Sequence, residues 1–345
     1  MLSMLHQYAG QILKSILVVT IILIAIGLIG SINIVELYSL LPFILLSLSL
    51  HLIQYGLKGL KFYILVKTNI LGKRADMGFL DAIKLRIGSE FFSLIGISYI
   101  GDEFFRLYIL NKRYRLGLGE AMAIGYIEVL VELIVSIIIG VSGSIYLYYI
   151  GFRGPLLIIV FISVLILSSI HLLIIFRPRM VKGLVISILG RFRGLIGLDK
   201  YNKSINLVEE LFSTFSISLF KYIKSLWLFI AIIALTTVSY ILGGLTLLTI
   251  AHPMGVRLSV WESIIIIVIS LILSTLPITI SGSGVFEAII LIFGSSIAGI
   301  IPWILPIAYR ISTYYLPLIF TSILLYAYIR DIPTPSSLSS STPQS

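Results

Sequence analysis

Seven apolar runs, each close to the length of a membrane-crossing helix, constrain this chain more than any other feature. They extend over about Ile12–Gly30, Leu37–Leu57, Glu120–Tyr149, Gly154–Phe176, Ile223–Ile250, Leu258–Ile280 and Trp303–Tyr328. A hydrocarbon layer takes about 20 helical residues to cross, and inside it the backbone must satisfy its own polar groups. The pattern predicts an all-α, polytopic transmembrane helical bundle of about seven or eight spans. Residues 1–331 read as a single integral membrane domain. The 345 residues are 59% hydrophobic and only 12% charged, a balance foreign to soluble domains. The first run is too long for a signal peptide and lacks a small-x-small cleavage site, so it reads as a retained helix. The Ser, Pro and Thr of 332–345 have no means of building a core and predict a disordered tail.

Several function classes drop out on composition. No Gly-x-x-x-x-Gly-Lys-Ser/Thr phosphate loop is present. Cysteine is absent, and His6, His51, His171 and His252 form no ligand-spaced pair, so neither a metal nor another cofactor is expected. The net charge of +10 does not imply nucleic acid, because the basic residues cluster by loop. With a cytoplasmic N-terminus, Lys14 and three basic regions carry 21 of the 25 Lys and Arg on that side, against Arg153 and Arg257 outside. That bias is the positive-inside pattern of a multi-pass protein of the cell membrane. The longest polar loop, 177–222, contains a stretch from Ile205 to Phe220 with Val208, Leu211, Phe212, Phe215 and Leu219 at helical spacing. It predicts an amphipathic helix lying in the interface or on the bundle.

Two interruptions break this apolar background. The first is Ser98-Tyr99-Ile100-Gly101-Asp102-Glu103 with Arg106 beyond it, following a segment from Phe79 too charged to face lipid. The second is Ser281-Gly282-Ser283-Gly284-Val285-Phe286-Glu287, with Pro277 before it and Arg310 after it. Broken helix and charge persist in a membrane only where protein or a polar cavity shelters them. Gly and Ser free backbone N–H groups where the next helix begins, and such a start attracts anions. Paired breaks in two halves are a transporter device, so re-entrant helices and pseudo-symmetric inverted halves are expected. The competing reading is that Glu103 and Glu287 only cap helix starts. Gly284 to Ile300 is borderline between a short span and a hairpin.

Further charges lie within the apolar runs. Glu128 and Glu132 share one helix face. Two carboxylates there repel unless a proton or a cation intervenes, and Arg310 is the expected partner. They either order the bundle or line a polar pathway. Tyr314 and Tyr315 before Pro317 predict a kink in the last helix.

Gly101-Asp102-Glu103-x-x-Arg106-x-Tyr108-x-Leu110, with Glu120-Ala121 and Glu128, resembles the first half of the flippase-like family. That family includes the transmembrane region of lysylphosphatidylglycerol synthases. Leu276-Pro277-Ile278-Thr279, Gly284, Glu287-Ala288 and Arg310-x-x-Thr313-Tyr314-Tyr315-Leu316-Pro317 resemble its C-terminal signature. The chain departs from the usual pattern at Ile97, Asp102, Ile280-Ser281 and Val129. The resemblance implies translocation of an anionic or modified phospholipid or a lipid-linked intermediate, not its synthesis. Membrane lipids are then the expected partners, and a separately encoded lipid-modifying enzyme is a possible one. The headgroup site would draw on Ser98, Gly101, Asp102, Glu103, Arg106, Glu128, Glu132, Pro277, Ser281, Gly282, Gly284, Glu287, Arg310 and Tyr314. No catalytic motif is found. Two alternatives are a non-transporting membrane partner of a lipid enzyme and a lipid-donor glycosyltransferase, the latter having only Glu36 in its first outer loop.

Overall fold

The computed structural model describes residues 2–31, 34–68, 76–95, 100–152, 154–275, 282–299 and 302–330. The described chain is helical: α1 (Leu2–Ile29), α2 (Ile34–Ser39), α3 (Leu41–Lys67), α4 (Phe79–Ile95), α5 (Ile100–Lys112), α6 (Leu118–Tyr149), α7 (Pro155–Phe176), α8 (Pro178–Arg191), α9 (Arg193–Ile196), α10 (Leu198–Lys224), α11 (Leu226–Ala251), α12 (Val260–Ser274), α13 (Val285–Ala298), α14 (Ile304–Arg310) and α15 (Leu316–Arg330). A π-helical turn, Ile311–Tyr315, joins α14 to α15 in one continuous rod. Among the described residues five helices are long and apolar enough to cross a membrane: α3, α6, α7, Leu226–Met254 and Ile304–Arg330. Shorter apolar helices cover Ile16–Ile29, Val260–Ser274 and Val285–Ser296. The protein is therefore a multi-pass all-α membrane bundle.

One boundary differs from the sequence expectation. The sequence predicts the second span over about Leu37–Leu57, whereas α3 begins at Leu41 and continues through Lys58 and Lys61 to Lys67. Lysine is a good helix former, and the charges find carboxylate partners on other helices. Of the run Leu258–Ile280, Val260–Ser274 is helical, and 276–280 lie outside the described residues.

Small residues set the packing. In α12 every side chain from Ser263 to Ser270 is buried, so this helix is central. Its neighbours come close through glycine: a Cβ at Gly244 of α11 would lie 2.5 Å from Ile264, and one at Gly143 of α6 would lie 2.6 Å from Ile265. Without a hydrophobic drive between helices in lipid, such backbone approach is a main source of association. At the periphery, α7 exposes Leu165 and Ile166, as a lipid-facing helix does. The interfacial helix predicted at Ile205–Phe220 belongs to the longer α10. Its last turns lay Phe215, Leu219 and Tyr222 onto the bundle, and the Tyr222 hydroxyl donates to the Leu65 carbonyl at 3.0 Å.

Two pairs of short helices sit within this frame. Helices α4 and α5 run antiparallel, with Asp81 of the first meeting Arg113 beyond the second at 3.8 Å. At the opposite end, a Cβ on Gly101 would lie 3.1 Å from the Phe92 carbonyl. Helices α12 and α13 also pack together, and the chain returns at Gly282 directly beside Ser274. The four helices have 17, 13, 15 and 14 residues. At about 1.5 Å per residue none reaches the ~30 Å of a hydrocarbon core.

Candidate functional site

A buried ion network gathers at α3, α4, α5 and α6. Glu128 of α6 is its centre: Arg86 Nε donates to Oε1 at 3.1 Å, Arg106 Nη1 donates to Oε2, and Lys61 Nζ lies 3.3 Å from Oε1. Arg86 Nη1 also donates to Glu90 at 2.7 Å, where Lys58 donates as well at 2.8 Å. Lys61 donates to Glu132 at 2.6 Å, and Arg106 Nη2 donates to Glu103. Asp102 Oδ2 stands 3.4 Å from both Arg86 and Arg106. Glu128 is 1% exposed and Lys61, Arg86 and Arg106 are 2% exposed. Charges so far from water persist only when each is paired and hydrogen-bonded. Helix spacing makes the pairing possible. Arg86 and Glu90 are four apart, as are Asp102 and Arg106, and Glu128 and Glu132, so each helix presents its pair on one face. Glu103 fits because Gly125 has no side chain: a Cβ there would lie 2.2 Å from Glu103 Oε2.

The second set is smaller. Glu287 lies in the first turn of α13 and uses its two oxygens differently. Oε2 accepts the Gly284 N–H at 2.7 Å, while Oε1 accepts Arg310 Nε at 2.6 Å. Gly284 holds φ +85°, a conformation that L side chains rarely adopt, and so it turns the chain into α13. Arg310 further donates to the Gly282 carbonyl at 3.5 Å and stacks over Phe286 at 5.1 Å. Tyr314 is buried near the same guanidinium, 5.7 Å away. The anion site expected at the start of α13 is thus already taken by its own glutamate.

A cavity of about 160 Å³ separates the two sets and is lined by both. The first contributes Lys58, Lys61, Glu90 and Glu132; the second contributes Arg310 and Phe286. The remaining wall is polar on α3 and α11. His51, Gln54 and Tyr55 face Thr236, Ser239 and Tyr240. Tyr240 is fixed by Ser136 at 2.7 Å and Gln54 donates to the Ser239 carbonyl at 3.0 Å. His51 Nε2 and Thr236 Oγ1 are buried without a hydrogen-bond partner among the described residues.

The expected residues therefore fall into two groups. Asp102, Glu103, Arg106, Glu128 and Glu132 share the first network, while Gly282, Gly284, Glu287, Arg310 and Tyr314 form the second. Ser98, Pro277 and Ser281 lie outside the described residues. Gly101 packs at the hairpin instead of lining the cavity. The expectation that Arg310 neutralises Glu128 and Glu132 is overturned. Arg86, Arg106 and Lys61 do so, since α4 and α5 bring those arginines between α3 and α6, and Arg310 serves Glu287. Four residues were missed as site members. The sequence counts Lys58, Lys61 and Arg86 among the cytoplasmic basic regions and places Glu90 in the segment from Phe79 that is too charged to face lipid. A signal existed: His51, Gln54, Tyr55, Lys58 and Lys61 recur every three or four residues along one face of a span. Thr236, Ser239, Tyr240 and Gly243 repeat it on α11. Glu36 stands exposed on α2. Among the described residues no group of three or more His, Cys, Asp or Glu could hold a metal ion.

Comparison with known proteins matches residues 11–320 to the model of the lysylphosphatidylglycerol synthase TM region. The matched region is the membrane part and does not include the synthase's catalytic domain. No curated protein and no solved structure matches the chain.

Proposed function

Because the chain belongs to the family of the lysylphosphatidylglycerol synthase TM region, a lipid-handling membrane protein in general terms, we propose that it translocates a phospholipid or lipid-linked headgroup across the bilayer. The observation that carries this reading is the cavity, lined by charged, polar and apolar side chains, where the ion sets of both hairpins meet. Its volume of about 160 Å³ is at least about tenfold the ~10–15 Å³ that one water needs. That gives room for polar headgroup atoms, with the acyl chains staying in the lipid. Lys58, Lys61 and Arg310 offer donors to a phosphate, and Glu90 and Glu132 offer acceptors to an amine or hydroxyl. The two short-helix hairpins, each opening its second helix with a carboxylate that binds an arginine, would be the related halves of such a transporter.

The test is reconstitution into liposomes with fluorescent anionic, zwitterionic and amino-acid-modified phospholipids. Faster transbilayer movement than in protein-free vesicles for at least one class supports the proposal. Equality for every class, with the protein correctly inserted, rejects it. The second reading, a membrane partner of a separately encoded lipid-modifying enzyme, is favoured by the match to the membrane part of a synthase. Co-purification of such an enzyme with a transport-inactive protein would select it.

A further inference from the structure

The first ion network does not balance. Among the described residues its bases are Lys58, Lys61, Arg86 and Arg106, and its carboxylates are Glu90, Asp102, Glu103, Glu128 and Glu132, all linked by contacts of 4 Å or less. Four positive and five negative groups leave one negative charge in the interior of a membrane protein. A buried carboxylate without compensation takes up a proton in preference to remaining ionised.

The contacts identify which one. Glu128 meets three cations and Glu90 meets two at 2.7 and 2.8 Å. Glu132 is met by Lys61 at 2.6 Å and Glu103 by Arg106, and both retain some exposure, 17% and 28%. Asp102 is fully buried. Among the described residues its Oδ2 has two long contacts at 3.4 Å, and its Oδ1 has no hydrogen-bond partner. We propose that Asp102 is a proton-binding site, carrying one proton while the other members of the network are ionised.

Every packed element contributes to its surroundings. Helix α4 supplies Arg86 and Glu90, α5 supplies Glu103 and Arg106, α6 supplies Glu128 and Glu132, and α3 supplies Tyr55, Lys58 and Lys61. Asp81, Arg113 and Tyr114 lie at the other end of the hairpin. His51, the other acceptor for a compensating proton, shares the cavity with Lys58, whose charge opposes a further cation. Asp102 also has a bridge on each side. Arg106 links it to the partly exposed Glu103, and Arg86 links it to Glu90 on the cavity wall. Asp102 thus lies one guanidinium away from a partly exposed carboxylate on one side and from a carboxylate of the cavity wall on the other. The site stands whether or not the chain moves lipid.

Infrared spectroscopy of the full chain in nanodiscs tests this, with the protein grown on aspartate carrying ¹³C in its side-chain carboxyl. The expected result is a protonated-carboxyl C=O band at neutral pH that shifts with the labelled aspartate and is lost in Asp102→Asn. Asp102 is the buried aspartate of the described residues, so the label reports on it even if the variant fails to fold. Absence of the band at neutral pH overturns the proposal and points to His51. A band that ignores the aspartate label overturns it too, placing the proton on a glutamate.

Discussion

Arg310 and Glu287, 23 residues apart, meet at 2.6 Å with the carboxylate 1% exposed, and the same carboxylate closes the first turn of α13 through Gly284. The pair holds the second hairpin to the last long helix. Removing one member leaves a buried charge alone, which costs about 3–5 kcal/mol. Arg310→Ala should therefore lower the thermal unfolding temperature in detergent sharply, whereas Arg310→Ala with Glu287→Gln should recover part of the loss. A double variant no more stable than Arg310→Ala would show that the pair does not act as a unit.

Glu128→Gln should be more damaging than Glu132→Gln. The first removes the partner of three cations, while the second removes one contact of Lys61, which keeps Glu128 at 3.3 Å. The monodisperse yield after membrane extraction, compared side by side, measures the order. Equal yields would refute the central role given to Glu128.

Gly125→Ala adds a methyl where Glu103 Oε2 sits. Overpacking of this kind costs about 1–3 kcal/mol. The cost should shrink in a Glu103→Ala background, since the carboxylate is then gone. A thermal-stability double-mutant cycle reads the coupling, and strict additivity would contradict the contact.

The absence of cysteine makes the cavity open to labelling. Thr236→Cys should react with a small charged thiosulfonate reagent in membranes, because position 236 lines the polar cavity. Val131→Cys, fully buried in the core, should stay unreactive. Equal reactivity of the two would mean that the cavity does not admit polar solutes.

Much of this arrangement was legible in the chain, for local reasons. Glycine and carboxylate in an apolar run announce a helix start, and so Glu103, Arg106 and Glu287 could be found by inspection, whereas the partner of Arg310 could not. Lys61 and Arg86 could not be placed in the same way. A basic residue beside an apolar run looks like a loop anchor, and only the approach of Glu128 and Glu132 from a helix far along the sequence makes burial tolerable. The wrong partner for Glu128 has the same origin. Ion pairing is decided by which helices touch, and the order of apolar runs leaves that open.

The π-helical turn at Ile311–Tyr315 has a mechanical meaning. Pro317 lacks an N–H and its ring crowds the preceding turn, and the widened turn absorbs that mismatch. It holds surplus chain at the junction between α14, which carries Arg310 to the cavity, and α15, which packs on α4. One residue of an α-helix corresponds to about 100° of rotation. The surplus residue therefore sets α14, and Arg310 with it, at a rotation relative to the face of α15 on the first hairpin that an unbroken α-helix would not give.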